Sequence, residues 1–107
     1  MEMAEMKILL VCAGGMSTSI LMNKMKKYWA SIEVPLDVEA VGLAEYNEHY
    51  QDFDVILIGP QVSYRQSMIE KETGKPCAAI NSTDYALGNC DRIYEQVKTL
   101  YEEMENA

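Results

Sequence analysis

Cys12 is followed at once by Ala13, Gly14, Gly15, Met16 and the hydroxyl triplet Ser17, Thr18, Ser19. A thiol, two glycines and three hydroxyls within eight residues suit the capture of a phosphoryl group. Gly14 and Gly15 take backbone angles closed to other residues and carry no side chain to block a ligand, so successive N–H groups can turn inward as an anion nest. A helix starting after them adds its positive end. Ser17, Thr18 and Ser19 supply hydroxyl donors, and one of the three is expected to cap that helix. The same field is expected to lower the pKa of Cys12 and favour its thiolate, the nucleophilic form. In-line attack on a phosphorylated donor would then give phosphocysteine, the amides balancing oxygen charge through the transfer.

Other loops that hold phosphate fit this segment less well. A nucleotide P-loop requires GxxxxGK[ST], and Gly14 to Ser19 has neither the second spaced glycine nor the lysine. Gly14-Gly15-Met16-Ser17 also fails the dinucleotide pattern GxGxxG. A cysteine phosphatase usually holds phosphate with an arginine six positions after the nucleophile, where this chain has Thr18. The loop contains no carboxylic acid to assist a leaving group or activate water, although a distant loop could contribute one. Capture without rapid hydrolysis is the better fit, against the plainer alternative of a buried strand-end cysteine beside a glycine turn.

Cys12 needs a strand before it and a helix after it. Lys7 to Cys12 is a short, nearly continuous apolar run with β-branched residues, the pattern of a central parallel strand. From Ser19 onward, Leu21, Met25, Tyr28 and Ile32 recur at helical spacing, and Lys24, Lys26 and Lys27 mostly take the opposite face. Leu36 to Val41 alternates apolar with polar, as in a half-covered edge strand. Leu43 to Tyr50 offers a short helix that packing must hold. Asp54 to Pro60 reads as a second buried strand, Val62 to Glu72 as a helix, Gly74-Lys75-Pro76 as a turn, and Cys77 to Ile80 as a fourth strand. Asn89 is expected to cap a last helix with Ile93, Val97, Leu100 and Met104 on one face, fraying from Glu102. Alternating strands and helices with right-handed crossovers predict an α/β, three-layer, doubly wound four-stranded parallel sheet of order 2-1-3-4. The strands ending at Cys12 and Gly59 are then neighbours, and a crevice is expected over their carboxyl ends.

Gly59 to Arg65 should form the opposite lip of that crevice. Gln61, Tyr64, Arg65 and Tyr85 are the candidate rim or partner contacts. Gln61 is expected to orient the loop or meet a partner, Arg65 to lie at the surface about one turn into its helix, and Tyr85 to pack near the rim. Cys77 and Cys90 have no glycine cradle and are expected to be packing residues. Three cysteines without close spacing suggest neither a disulfide framework nor a zinc knuckle, and His49 alone excludes a multi-histidine metal site. No metal and no cofactor is expected.

The 107 residues allow one domain, and an apolar content of 49% allows it a core. Nine basic against 17 acidic side chains give a net charge of -8, which opposes binding to nucleic acid or to anionic membrane. The acidic start and short apolar runs predict a soluble intracellular protein.

The motifs Cys12-Ala13-Gly14-Gly15-Met16-Ser17-Thr18-Ser19 and Ile58-Gly59-Pro60-Gln61-Val62, with the Gly74-Lys75-Pro76 turn, make the chain resemble the IIB component of bacterial sugar phosphotransferase systems, in the lactose/cellobiose/chitobiose family. The resemblance runs over Lys7 to Met104. It implies a single domain over residues 1–107, with a core of about 7–104, similar in fold to low-molecular-weight tyrosine phosphatases and flavodoxin-like proteins. It also implies that Cys12 takes a phosphoryl group from a phosphohistidine on IIA and passes it to a sugar on membrane-embedded IIC. Residues 13 to 19 match the cradle around that group. Cellobiose-type members often have serine-alanine at Ala13-Gly14 and tyrosine-glycine at Tyr85-Ala86, while lactose-type members tend to lack the Met-Ser-Thr-Ser continuation. A β-linked disaccharide is expected, cellobiose or chitobiose before lactose. The resemblance further implies a cytoplasmic protein, monomeric when isolated, that meets IIC peripherally. A cysteine-dependent phosphatase and a regulatory phospho-binding domain are the competing functions.

Overall fold

The apolar run before Cys12 forms β1 (Met6–Cys12), with Ile8 to Val11 fully buried. Burial on both faces is what a near-continuous apolar strand requires. The structure, a computed structural model, describes residues 5–13 and 16–105, with Met16 and Ser17 as backbone alone. The chain continues through α1 (Met16–Ser31), β2 (Leu36–Gly42), α2 (Tyr46–His49) with a 3-10 turn at Tyr50–Asp52, and β3 (Val55–Ile58). A 3-10 segment at Pro60–Arg65 leads into α3 (Gln66–Thr73), followed by β4 (Cys77–Ala79), α4 (Ser82–Leu87) and α5 (Cys90–Glu105). The strands are parallel in the order β2-β1-β3-β4, as the sequence predicts.

Alternation along β1 divides the core. Ile8, Leu10 and Cys12 face α1 and α5, packing with Leu21, Met25, Trp29, Ile93, Val97 and Leu100. Leu9 and Val11 face the other side, with Tyr46, Val62 and Ile69. Helices therefore cover both faces of the sheet, and the chain leaves β1 and β3 toward opposite faces. At the edge, β2 pairs only with β1 and exposes Asp37 and Glu39, charges that discourage further strand pairing. Opposite the site, the Tyr101 hydroxyl accepts from Lys7 N at 2.8 Å and donates to Asp54 Oδ2 at 2.9 Å, tying α5 beneath β1 and β3.

Several boundaries differ from the sequence-based expectation. In α1 the buried row is Leu21, Met25 and Trp29, spaced four apart; Ile32 lies beyond the last turn and is exposed. The helix expected from Val62 begins at Gln66, because burying Val62 takes a non-helical backbone (φ −124°, ψ 19°). α5 does not fray at Glu102 but continues to Glu105, and Met104, past the last buried turn, is exposed. The region after β4 holds an additional helix, α4, capped by Asn81 Oδ1 accepting from Thr83 N and Asp84 N and closed by Gly88 in the left-handed conformation. Asn89 precedes α5 and donates its side-chain amide to Asp84 Oδ1 at 3.0 Å.

Candidate functional site

Cys12 ends β1 opposite Gly42 of β2, and its side chain is only 2% exposed. α1 begins four residues later, so the unpaired N–H groups of its first turn belong to the same end of the sheet. The proposed nest at Gly14 and Gly15 lies outside the described residues. Ala13 is exposed. The cap position expected within Ser17 to Ser19 is not there: α1 starts at Met16, ahead of the triplet, so the three lie inside its opening residues.

Among them, Thr18 is turned inward and is 5% exposed. Its Oγ1 lies 3.3 Å from the Tyr85 hydroxyl of α4, within hydrogen-bond reach, and the pair adjoins the Cys12 thiol. Burial pushes the Cys12 thiol above its ordinary value, while the hydrogen bonds from Thr18 and Tyr85 oppose that rise. The lowered pKa expected from the sequence is thus reversed in the free protein. Removing charged sulfur from water outweighs the two hydroxyls that stabilise it.

A cavity of about 230 Å³ opens beside the thiol, lined by Cys12, Thr18, Ser19, Met22, Ala40, Val41, Gly42 and Glu45. It lies toward β2, whereas the sequence pointed to a crevice between β1 and β3. Glycine at position 42 leaves room on the β2 side. On the β3 side Gly59 N donates to Val11 O at 2.8 Å, and Gly59 packs against the sulfur.

The rim candidates separate. Gln61 is exposed, with its Oε1 held over Gly59, and Tyr64 is 74% exposed. Arg65 is half-buried rather than at the surface, because the 3-10 segment carries it beside Tyr46. Its Nε is buried and Nη2 donates to Met68 Sδ at 3.5 Å, and it does not line the cavity. Tyr85 reaches Thr18 beside the thiol, and its hydroxyl opposes the rise in the thiol's pKa. Sequence reasoning missed Glu45, whose carboxylate belongs to a distant connection, and the contact of Thr18 with Tyr85 across 67 residues. The Asn81 cap and Gly88 were the available signal for α4, and hence for Tyr85 sitting on a helix.

Cys77 and Cys90 are buried packing residues, as expected, and unpaired. His49 Nδ1 lies 3.7 Å from Glu39 Oε1. Among the described residues no group of three or more His, Cys, Asp or Glu is placed to hold a metal, and no helix is long and apolar enough to cross a membrane.

Residues 7–96 match the family model for the lactose/cellobiose-specific IIB subunit of the PTS system. The oligo-beta-mannoside-specific EIIB component of Bacillus subtilis (strain 168) is 38% identical over 97 residues, 88% of this chain and 94% of that protein. The solution structure of a cellobiose-specific phosphotransferase IIB component from Borrelia burgdorferi superposes with a TM-score of 0.76 at 31% identity, covering 94% of each chain. A lactose-specific EIICB component of Lactococcus lactis subsp. lactis is 32% identical over 71 residues, 66% of this chain and 12% of that much longer protein.

Proposed function

The chain belongs to the lactose/cellobiose-specific IIB family of the sugar phosphotransferase system, and from that premise we propose that Cys12 is its phosphoryl carrier. The observation that carries this reading is the thiol itself: it ends the central strand, contacts two hydroxyls and borders a cavity at the start of a helix. Cys12 gives up its thiol proton to water or to the departing imidazole, and the charged sulfur attacks the phosphorus of a phosphohistidine on a IIA partner. An S–P bond forms as the N–P bond breaks, and the imidazole nitrogen keeps the electron pair. In the second transfer a sugar hydroxyl held by membrane IIC attacks the same phosphorus. The O–P bond forms, the S–P bond breaks with its pair returning to sulfur, and the hydroxyl proton leaves to a base on IIC or to water.

Residues 13 to 19 cradle the phosphoryl oxygens, through the backbone of Ala13, Gly14, Gly15 and Met16 and through the hydroxyl-bearing start of α1. Gln61 and Tyr64 face the partners. The relatives in which a IIB segment is part of a longer EIICB chain support IIC as the second partner. All of these groups come from one chain, so a monomer suffices, working at the cytoplasmic face of IIC. The sugar is a β-linked disaccharide, with cellobiose and chitobiose ahead of lactose; the name of the Bacillus subtilis relative adds β-mannosides to the panel.

The test is to incubate the protein with phosphorylated IIA, locate the label by mass spectrometry, and then add IIC membranes with each disaccharide in turn. Label on Cys12 that persists until IIC and sugar are supplied is the expected result. Prompt release of inorganic phosphate indicates a phosphatase instead, and label that never reaches sugar but alters affinity for a regulator indicates a signalling domain.

A further inference from the structure

Tyr85 lies 73 positions beyond Cys12 and outside the loop that follows it, yet it packs against the core cluster that holds Cys12, and its hydroxyl stands 3.3 Å from Oγ1 of Thr18, which borders the same cavity as the thiol. We infer that Tyr85 is a positioning residue for Cys12: its hydroxyl, coupled to that of Thr18, holds the sulfur in place and stabilises its charged form. The inference rests on the reading of Cys12 as the phosphoryl carrier.

The hydroxyl chemistry has a direction. Each hydroxyl has one proton, so when Thr18 donates to sulfur and accepts from Tyr85, the tyrosine acts on the sulfur through Thr18 rather than by a bond of its own. Each bond then polarises the next toward the sulfur, and the effect of the pair exceeds that of either hydroxyl acting alone. Both groups are held where this can happen. Thr18 is fixed in the opening turn of α1 and is 5% exposed. α4 is fixed by the residue next to Tyr85: Asp84, 6% exposed, accepts from Asn89 Nδ2 at 3.0 Å and lies 3.1 Å from Arg92 Nε, both outside α4.

Among the described residues, the titratable groups that face the thiol are Tyr85 from α4 and Glu45 from the connection after β2. α1 contributes Thr18 and Ser19 there, while its Lys24 turns to the hollow beyond Tyr85, against Gly88. Among the described residues no basic side chain lines the cavity beside the sulfur. Among the described side chains, the two hydroxyls are the groups that offset the cost of burying its charge.

The experiment is site-resolved iodoacetamide alkylation of Cys12 as a function of pH, in the full chain and in Tyr85→Phe, Thr18→Val and the double variant. Tyr85→Phe keeps the ring and removes the hydroxyl. It is expected to slow Cys12 alkylation by roughly three- to tenfold at neutral pH and to move the midpoint up by about one pH unit, with the thermal midpoint of unfolding unchanged. In the Thr18→Val background the same substitution is expected to add less than about twofold, since the coupling has already been removed. An unchanged Cys12 profile in Tyr85→Phe overturns the inference even if Thr18→Val fails to fold. Shifts that simply add overturn the coupling through Thr18. Alkylation needs no phosphoryl donor, so a wild-type protein that accepts no phosphoryl group would sink the carrier reading and leave the Tyr85 result standing.

Discussion

Gly59 packs so closely on Cys12 that a Cβ at position 59 would stand 3.4 Å from the sulfur. The thiol therefore has a closed side toward β3 and an open side toward β2, where the cavity lies. The glycine matters here for the space it leaves beside the sulfur rather than for backbone freedom, since its φ of −62° and ψ of 149° suit any residue.

Gly59→Ala should accordingly fold with little loss, within about 0.5 kcal/mol, because the new methyl meets sulfur at ordinary contact distance and only the mobile end of Gln61 must yield. Phosphoryl acceptance should fall by about tenfold, since the methyl narrows the β3 side of the sulfur and displaces the Gln61 amide in a geometry where small misplacements are costly. Gly59→Val should deepen the loss. Thermal unfolding and the rate of labelling from phosphorylated IIA, measured side by side, check this; unchanged rates in both variants would mean that the β3 side of the sulfur takes no part in transfer.

Cys12→Ser should abolish label transfer from IIA while leaving the fold intact. The hydroxyl fits the buried site and can keep the hydrogen bonds from Thr18 and Tyr85, but its oxygen stays protonated and weakly nucleophilic near neutral pH. Intact-mass measurement after incubation with the donor decides the matter. Label retained at normal stoichiometry would move the acceptor to another residue.

How much of this was legible in the sequence depends on the range of the forces involved. β1 and β3 announce themselves because burial on both faces demands unbroken apolar runs, and the order of the sheet follows from crossover handedness. The position of Cys12 at a strand end before a helix was readable for the same reason. The placement of Trp29 in the core instead of Ile32 was not, because a helix end shifted by one turn changes which apolar residue faces the sheet. The protonation tendency of the thiol was also misjudged. A helix terminus is visible in sequence, whereas the depth of burial that outweighs it is set by residues as distant as Gly59 and Tyr85.

Stability should fall as the solution turns alkaline, with Cys77 responsible for a measurable part. Cys77 opens β4 and is 8% exposed, and burial, reinforced by Glu70 and opposed by a hydrogen bond with Thr73, pushes its thiol up to about 12. In the unfolded chain the thiol ionises near 9.0, so above that pH the unfolded state has lost a proton that the fold retains. The stabilisation is complete below the unfolded value and is lost as pH rises toward the folded one, by up to about 1.4 kcal/mol per pH unit. Cys12 and Cys90, also raised by burial, act in the same direction. Urea unfolding from about pH 8 to about pH 11 should show a shallower decline in Cys77→Ala than in the wild type, whatever the variant's absolute stability. Parallel declines would mean that the Cys77 thiol ionises as readily in the fold as in the unfolded chain.

The end of α4 offers a separate test of what holds Tyr85 in reach of the thiol. Gly88 closes that helix at φ 67° and ψ 43°, a left-handed conformation in which a Cβ is strained by its own backbone. A Cβ there would also lie 2.5 Å from Lys24 Cδ, but the lysine is an exposed residue with a flexible chain that can swing aside. The backbone contribution should therefore dominate. Gly88→Ala is expected to cost about 1 kcal/mol, lowering the thermal midpoint by roughly 4–8 °C, and Gly88→Asn to cost less because asparagine tolerates the left-handed region. If contact with Lys24 were the main penalty, Lys24→Ala would restore Gly88→Ala to wild-type stability. The expected outcome is only a small recovery, since shortening the lysine leaves the dihedral strain untouched, and the same pair of melts distinguishes the two causes directly.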